Sequence, residues 1–449
     1  MKSSLFAFAV AAVCAALLTP VVRVIAVRCG VVDVPGSRRM HRHNVPRLGG
    51  LAIGAAFLLP FLALWFLNSQ LARLFFKEPL YMLGLGGGSI IVAALGALDD
   101  LRGVRAWHKL GIQTIAALVA FLSGYRIDAI TLPGLGTLSM GIFAVPITVL
   151  WIVAVINALN LIDGLDGLAA GVAFFACVTN FVVSAMGANH LVMLVSASLG
   201  GAVLGFLVYN FNPATIFMGD SGSMLLGYVL ATMSLLGSSI KSSTTVAILV
   251  PLVALGLPII DTLFAMARRI LERRPVFSPD KGHIHHRLLE LGITHRRAVL
   301  ILYGISVLCT ASAIALSLGR SWQIGSVLLA LSAILFGLFR FAGGLGFRLQ
   351  EPLSQKHVYE KFAVTLGEMQ SARSLEHLKQ QLEHIMPELN EDGISLRTGS
   401  HGEIHFSVSS EPPYERRVLM ELLMAALEFH TQRLHAESSG EHLPIRLSS

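Results

Sequence analysis

The chain has 449 residues, of which 54% are hydrophobic and only 14% charged, with a mean hydropathy of +0.69 and a formal net charge of +7. Soluble globular chains carry about 25% charged residues, so this composition excludes an ordinary water-soluble protein. Charge is unevenly spread: residues 1–340 hold 24 Lys and Arg against 12 Asp and Glu, whereas residues 341–449 hold 10 against 15. The expected organisation is a membrane domain over 1–340 followed by an extension of soluble composition over 341–449.

Runs of about 17–25 apolar residues are candidates to span a bilayer. Eleven occur, at 5–27, 48–67, 80–98, 108–124, 142–159, 168–187, 190–209, 222–238, 244–267, 298–318 and 322–340. The first is too long for the apolar region of a signal peptide and reads as a retained helix. Segment 125–141, with Pro133-Gly134 between two alternating stretches, predicts a short β-hairpin. In the extension, Leu375, Leu378, Leu382, Ile385 and Leu389 recur at helical steps. Residues 393–409 predict two strands, and 414–436 a further helix. Its scattered histidines form no motif. The four cysteines are far apart and lack metal-ligand spacing, so neither a zinc site nor a disulfide framework is indicated. The fold class expected is an all-α polytopic membrane protein of about 11 transmembrane helices, with a periplasmic hairpin and a small α+β cytoplasmic C-terminal module.

Basic residues set the orientation. Loops after odd-numbered runs carry sixteen Lys and Arg and those after even-numbered runs carry five. Cytoplasmic loops are the basic ones. The N-terminus is then outside, and the C-terminal extension is cytoplasmic. Most acids before residue 341 share that cytoplasmic side, although a carboxylate at membrane depth is costly unless it meets a cavity, a cation or a partner.

Five motifs carry chemistry. The first loop, from Asp33 through Arg38, Arg39, His41, Arg42, His43 and Arg47 to Gly49-Gly50, is basic and turn-rich; phosphate or membrane-surface attraction explains it equally well. Asp99-Asp100 ends the third run and is followed by Arg102, Arg105 and Lys109. Adjacent carboxylates repel, so a cation or cationic side chains must hold them, unless they form a solvated helix end. Asn157-Ala-Leu-Asn160-Leu-Ile-Asp163-Gly-Leu-Asp166-Gly breaks an apolar helix at two glycines. Such breaks are tolerated where they line a cavity, and its oxygen donors suit Mg²⁺; a polar clamp between helices is the other reading. Asn210 to Ser223 contains Phe217-Met-Gly-Asp220-Ser-Gly. Its glycines admit close backbone approach, and the amides opening the next helix favour a phosphate. Phe217 is a stacking platform for a base or a packing residue. The long basic loop 268–297 holds His283-Ile-His285-His286-Arg287, suited to phosphate oxygens or to lipid headgroups. Asp261, within Pro-Ile-Ile-Asp-Thr, has Arg268 and Arg269 seven and eight residues on, so an ion pair is expected there.

The order Asp-Asp, NALNLIDGLDG, NPATIFMGDSGS, PIIDT and HIHH resembles the polyprenyl-phosphate N-acetylhexosamine-1-phosphate transferases over residues 28–340. It is more similar to the bacterial enzymes that begin O-antigen, enterobacterial common antigen or teichoic acid linkage-unit synthesis than to muramyl-pentapeptide transferase. Gly36 departs from the family, which often has Asn there. The resemblance implies a UDP-N-acetylhexosamine donor, UDP-GlcNAc first among them, and undecaprenyl phosphate as acceptor. The products would be a sugar-diphospho-lipid and UMP. It implies Mg²⁺, with Mn²⁺ as a substitute, in a bacterial plasma membrane. Asn160 and Asp220 match metal ligands, and Asp166 and Phe217 match the uracil site. Asp99 and Asp100 match the pair around the nucleophile. Lys109, His283, His285 and His286 match phosphate-contacting positions, and Asn157, Asp163 and Arg287 complete the substrate-binding set. Membrane lipids are expected partners and nucleic acid is not; a homodimer is left open.

The second pKa of a phosphate monoester is about 6, so the lipid phosphate is mostly dianionic at neutral pH and needs little help from a general base. Asp99 and Asp100 are therefore expected to orient Lys109, the metal shell or the lipid phosphate. An aspartyl-phosphate route stays open. A secondary transporter is the rival class, disfavoured because the polar groups gather at one face.

Overall fold

Lipid offers no hydrogen bonds to a backbone, so apolar runs of this length fold as helices that satisfy their own amides. The computed structural model describes residues 2–33, 44–66, 79–132, 136–238, 244–271, 283–318, 394–398 and 404–408, with the single residues 326 and 337. The chain forms two compact units, Met1–Gly344 and Leu345–Ser449.

The first unit is helical. Its helices are α1 (Lys2–Arg28), α2 (Gly49–Phe66), α3 (Pro79–Arg102), α4 (Ala106–Leu122), α5 (Ala144–Ile162), α6 (Leu168–Met186), α7 (His190–Asn210), α8 (Gly219–Ser238), α9 (Thr244–Ala254), α10 (Gly256–Leu271), α11 (Ile284–Glu290) and α12 (His295–Leu318). Among the described residues six helices are long and apolar enough to cross a membrane: α1, α3, α5, α6, α7 and α12, with α5 counted from Gly141. The run at 244–267 is not one helix. It breaks at Leu255, after which α10 is strongly amphipathic, with Asp261, Ala265 and Arg269 buried and Leu263, Met266 and Ile270 exposed. The run at 322–340 and most of the first loop (34–43) lie outside the described residues, as do 272–282 of the basic loop.

Two short antiparallel pairs interrupt the helices. Strands β1 (Val32–Asp33) and β2 (Val45–Pro46) pair beside the entry to α2. Strands β3 (Ala129–Leu132) and β4 (Gly136–Ser139) form the expected hairpin, with Ala129 opposite Ser139.

Helix α8 is the core. Residues 221–236 are all buried, and it touches α2, α3, α5, α6, α7 and α9. A helix apolar all round belongs in such a position. Helix α1, by contrast, buries one strip, Ala7, Ala11 and Ala15, and leaves Leu5, Val13 and Leu17 exposed on the other side. Small residues on the inner strip let it lie close to α7. The result is that the polar N-terminus of α8 emerges among the ends of its neighbours.

In the second unit, β5 (Ile394–Thr398) pairs antiparallel with β6 (Ile404–Val408), Ile394 opposite Val408. The helices expected at 375–389 and 414–436 lie outside the described residues.

Candidate active site

Consecutive helical residues point about 100° apart, since a turn takes 3.6 residues. Asp99 and Asp100, at the end of α3, are separated accordingly. Asp99 accepts the Val104 amide at 2.6 Å and pairs with the Lys109 ammonium from α4. Lys109 Nζ also donates to Asp220 Oδ2 at 2.8 Å. One lysine thus bridges carboxylates from α3 and α8.

Asp100 faces the other way. Its two oxygens accept the amides of Asp220 and Ser221, at 3.0 and 3.1 Å. The first amides of a helix lack intrahelical partners, and negative charge is favoured there. Asp100 therefore caps α8 from a neighbouring helix. The amides that the sequence offered to a phosphate are engaged by this carboxylate. Gly219, with φ of +72°, turns the chain into α8, and a Cβ there would collide with the Asp100 carboxylate.

The NALNLIDGLDG segment ends α5 and opens onto the same place. Asn160 Oδ1 accepts the Ser223 hydroxyl at 2.6 Å, and Ser223 in turn reaches the Gly219 carbonyl at 3.2 Å. Asn157 turns away, donating at 2.8 Å to the fully buried Gln113 on α4 and to the Val153 carbonyl. It clamps α5 to α4. Asp163, half-buried, follows the last turn of α5. Loss of hydration, then the Asp220 and Asp100 charges, push its carboxyl well above the usual range, against the pull of Arg47. A raised pKa means that folding favours the protonated form, so stability is lost as pH rises through the shifted value. In metal-free buffer, Asp163→Asn should match wild type near pH 4 and melt progressively higher than it as pH rises to 8.

Asp166 organises the loop before α8. Its Oδ2 accepts Asn212 Nδ2 at 2.9 Å and the Ala214 amide at 3.0 Å, while its own amide donates to His295 Nε2 at 2.9 Å. One carboxylate oxygen is thus committed to shaping the loop that carries Phe217. Phe217 is half-exposed, and its backbone pairs with the first loop: its amide donates to the Pro46 carbonyl at 2.8 Å and its carbonyl accepts the Gly49 amide at 3.0 Å. Arg47, between them, is paired with buried Asp33 at 3.0 Å. A cavity of about 460 Å³ opens here, lined by Asp33, Arg47, Asp100 and Leu101 among others.

The HIHH segment forms the short helix α11. His283 and His285 are buried, and His286 and Arg287 are half-buried. His285 rests on Gly164, where a Cβ would lie 2.6 Å from its Nε2. Burial first, then neighbouring His286, pushes the His285 imidazole down to about 3, so it is uncharged at neutral pH. Its Nδ1 has no hydrogen-bond partner among the described residues. Asp261 of α10 engages His283 and the Ile284 amide.

Sequence reasoning did not single out His295 and Gln113 as parts of the site. A lone histidine or glutamine inside or beside an apolar run carries no signal until its partners, Asp166 and Asn157, are known. Asp261 stood within a motif with Arg268 or Arg269 as its expected partner, whereas in the structure its two oxygens meet His283 and the Ile284 amide across 22 and 23 residues.

The oxygen donors gathered here, Asn160 and Asp220 with Asp163 nearby, are hard ligands of the kind Mg²⁺ takes. Among the described residues no group of three or more His, Cys, Asp or Glu forms a complete protein cage.

Carboxylates, an amide and a lysine thus meet at the helix ends of a membrane protein, with the histidine helix packed on Gly164 of the same segment. The model of glycosyl transferase family 4 matches residues 82–238. The chain is 41% identical over 317 residues, 70% of its own length and 86% of the relative's, to the "Probable undecaprenyl-phosphate N-acetylglucosaminyl 1-phosphate transferase" of Bacillus subtilis. It is 37% identical over 344 residues, 70% of its length and 82% of the relative's, to the decaprenyl-phosphate N-acetylglucosaminephosphotransferase of Mycolicibacterium smegmatis. A phospho-N-acetylmuramoyl-pentapeptide-transferase of Lactiplantibacillus plantarum is 41% identical over 159 residues, 33% of this chain and 49% of that one. The chain belongs to glycosyl transferase family 4, the polyprenyl-phosphate sugar-1-phosphate transferases. It is an integral membrane protein and an enzyme that transfers a sugar 1-phosphate.

Proposed function

We propose that the protein transfers GlcNAc 1-phosphate from UDP-GlcNAc to undecaprenyl phosphate, giving undecaprenyl-diphospho-GlcNAc and UMP, as the first membrane step of a cell-envelope polysaccharide pathway. The observation that carries this reading is the Asp99–Lys109–Asp220 bridge at the partly buried N-terminus of α8, beside the loop that Asp166 shapes. The similarity over 70% of the chain to two N-acetylglucosaminyl transferases supports the choice of sugar.

An oxygen of the lipid phosphate attacks the sugar-bound phosphorus. The bond from that phosphorus to the bridging oxygen breaks, and UMP leaves with the electron pair. The uracil lies against Phe217 and Asp166 Oδ1, the oxygen that does not hold the loop. Asp99 holds the Lys109 ammonium where the donor and acceptor phosphates meet, and His286 and Arg287 add donors from α11. Asp100 acts by fixing α8, and Asn157 by fixing α5. Asn160 and Asp220 would hold Mg²⁺, which supplies charge neutralisation on the diphosphate. Positioning dominates, because the donor is cytosolic and the acceptor lies in the bilayer.

The same reading takes eleven spans, the N-terminus outside, and the site and residues 341–449 on the cytoplasmic side of a bacterial plasma membrane. The basic-residue asymmetry supports that orientation. Detergent-solubilised protein with UDP-GlcNAc, undecaprenyl phosphate and Mg²⁺ should release UMP. EDTA should abolish the release and added Mg²⁺ restore it. UDP-GalNAc should react more slowly. Absence of UMP with every UDP-N-acetylhexosamine would overturn the reading.

A further inference from the structure

Asp261 lies on the buried face of α10, 3% exposed, while the opposite face presents Leu263, Met266 and Ile270 outward. A carboxylate so placed is costly unless each oxygen has a partner. Both do. Oδ1 accepts the Ile284 amide at 2.9 Å, and Oδ2 lies 2.9 Å from Nδ1 of His283, itself 5% exposed.

These contacts sit at the start of α11. His283 is its N-cap residue, extended at φ −61° and ψ 148°, and its own side chain makes no cap bond. Histidine is a poor capping residue, lacking the short oxygen that reaches the next amides. Asp261 supplies that oxygen from another helix. Its second oxygen, accepting from Nδ1–H, selects one tautomer and leaves Nε2 as the ring's remaining polar position. From there the order passes along the rings. His283 and His285 stack with centroids 5.5 Å apart and planes 9° apart, and His285 meets His286 at 4.4 Å. His285 in turn packs on Gly164, between Asp163 and Asp166.

We propose that Asp261 is a positioning residue of the transfer reaction. It fixes where α11 begins and which nitrogen of His283 carries the proton, and thereby places His286 and Arg287 relative to the Gly164 loop. The activity part of this inference rests on the transferase reading; the structural part does not.

Two full-length variants separate the roles. Asp261→Asn keeps an acceptor for the Ile284 amide but turns an N–H donor toward His283, reversing its tautomer. It should melt close to wild type in detergent, yet lose kcat by about tenfold or more with little change in KM for the UDP-sugar. Asp261→Ala should lose kcat and also speed amide hydrogen exchange across residues 284–288. An Asp261→Asn enzyme with wild-type kcat, or one whose loss of activity only tracks loss of folded protein, overturns the positioning role. Unchanged exchange of α11 in Asp261→Ala overturns the cap. If wild-type protein released no UMP at all, the transferase reading would fall, while the exchange measurement would still decide the cap.

Discussion

Lys109→Met is expected to lower UMP release by about 100- to 1,000-fold, the cost typical of removing one preorganised charge from a phosphate or oxyanion site. The ammonium links Asp99 on α3 with Asp220 on α8. Methionine keeps the stem of the side chain and leaves two carboxylates facing each other without a cation. Breaking such a pair costs several kcal/mol when fully buried. Here the side chains are 13–26% exposed, so water screens part of the repulsion and about 1–3 kcal/mol is expected. Thermal melting in detergent and UMP release separate the two effects. Adding Asp99→Asn should recover the melting temperature, because it removes one of the unpaired charges, and should not recover turnover. Recovery of turnover in the double variant would show that Lys109 serves only to neutralise Asp99.

Gly50→Ala should have the largest effect on stability. Gly50 opens α2, and a Cβ there would overlap the amide nitrogen and Cα of Gly222 in α8. Backbone cannot rotate out of the way as a side chain can. The buried methyl gains about 0.8 kcal/mol, while forcing the two helices apart costs about 3 kcal/mol or more. Since the Gly50 amide also donates to the Met218 carbonyl at 2.8 Å, the displacement would reach the turn before Asp220. Gly54→Ala is the control. One turn later, its Cβ would meet only the end of Leu225, at 3.2 Å, and that side chain can shift. Melting of the two variants by size-exclusion fluorescence should place Gly50→Ala far below wild type and Gly54→Ala near it. Equal melting would mean that α2 and α8 are not in backbone contact.

Residues whose role depends on local pattern were legible in the chain. Runs of apolar residues correspond to α1 to α8 and α12 because a spanning helix needs little more than length and hydropathy. The 129–139 hairpin followed from alternation around a Pro-Gly turn. The ninth run corresponds to two helices, α9 and α10, since hydropathy alone does not register the break at Leu255 or the amphipathic character of α10 after it. Among site residues, motif order brought out Asp99, Asp100, Lys109, Asn160, Asp166 and Asp220, but not who pairs with whom.

Composition and spacing by themselves determined that this is a membrane protein and where most of its helices run, and they marked the carboxylates, amides and histidines that the proposed reaction uses. Those properties reside in side chains and in short stretches of sequence. Tertiary structure alone decided the division of labour: Asp99 to Lys109, Asp100 to the amides of α8, Asp166 to the loop before it, Asp261 to His283. Each of these bonds joins residues brought together by helix packing, most of them far apart in sequence, and a carboxylate's function follows from the donor it meets rather than from the neighbours it has along the chain.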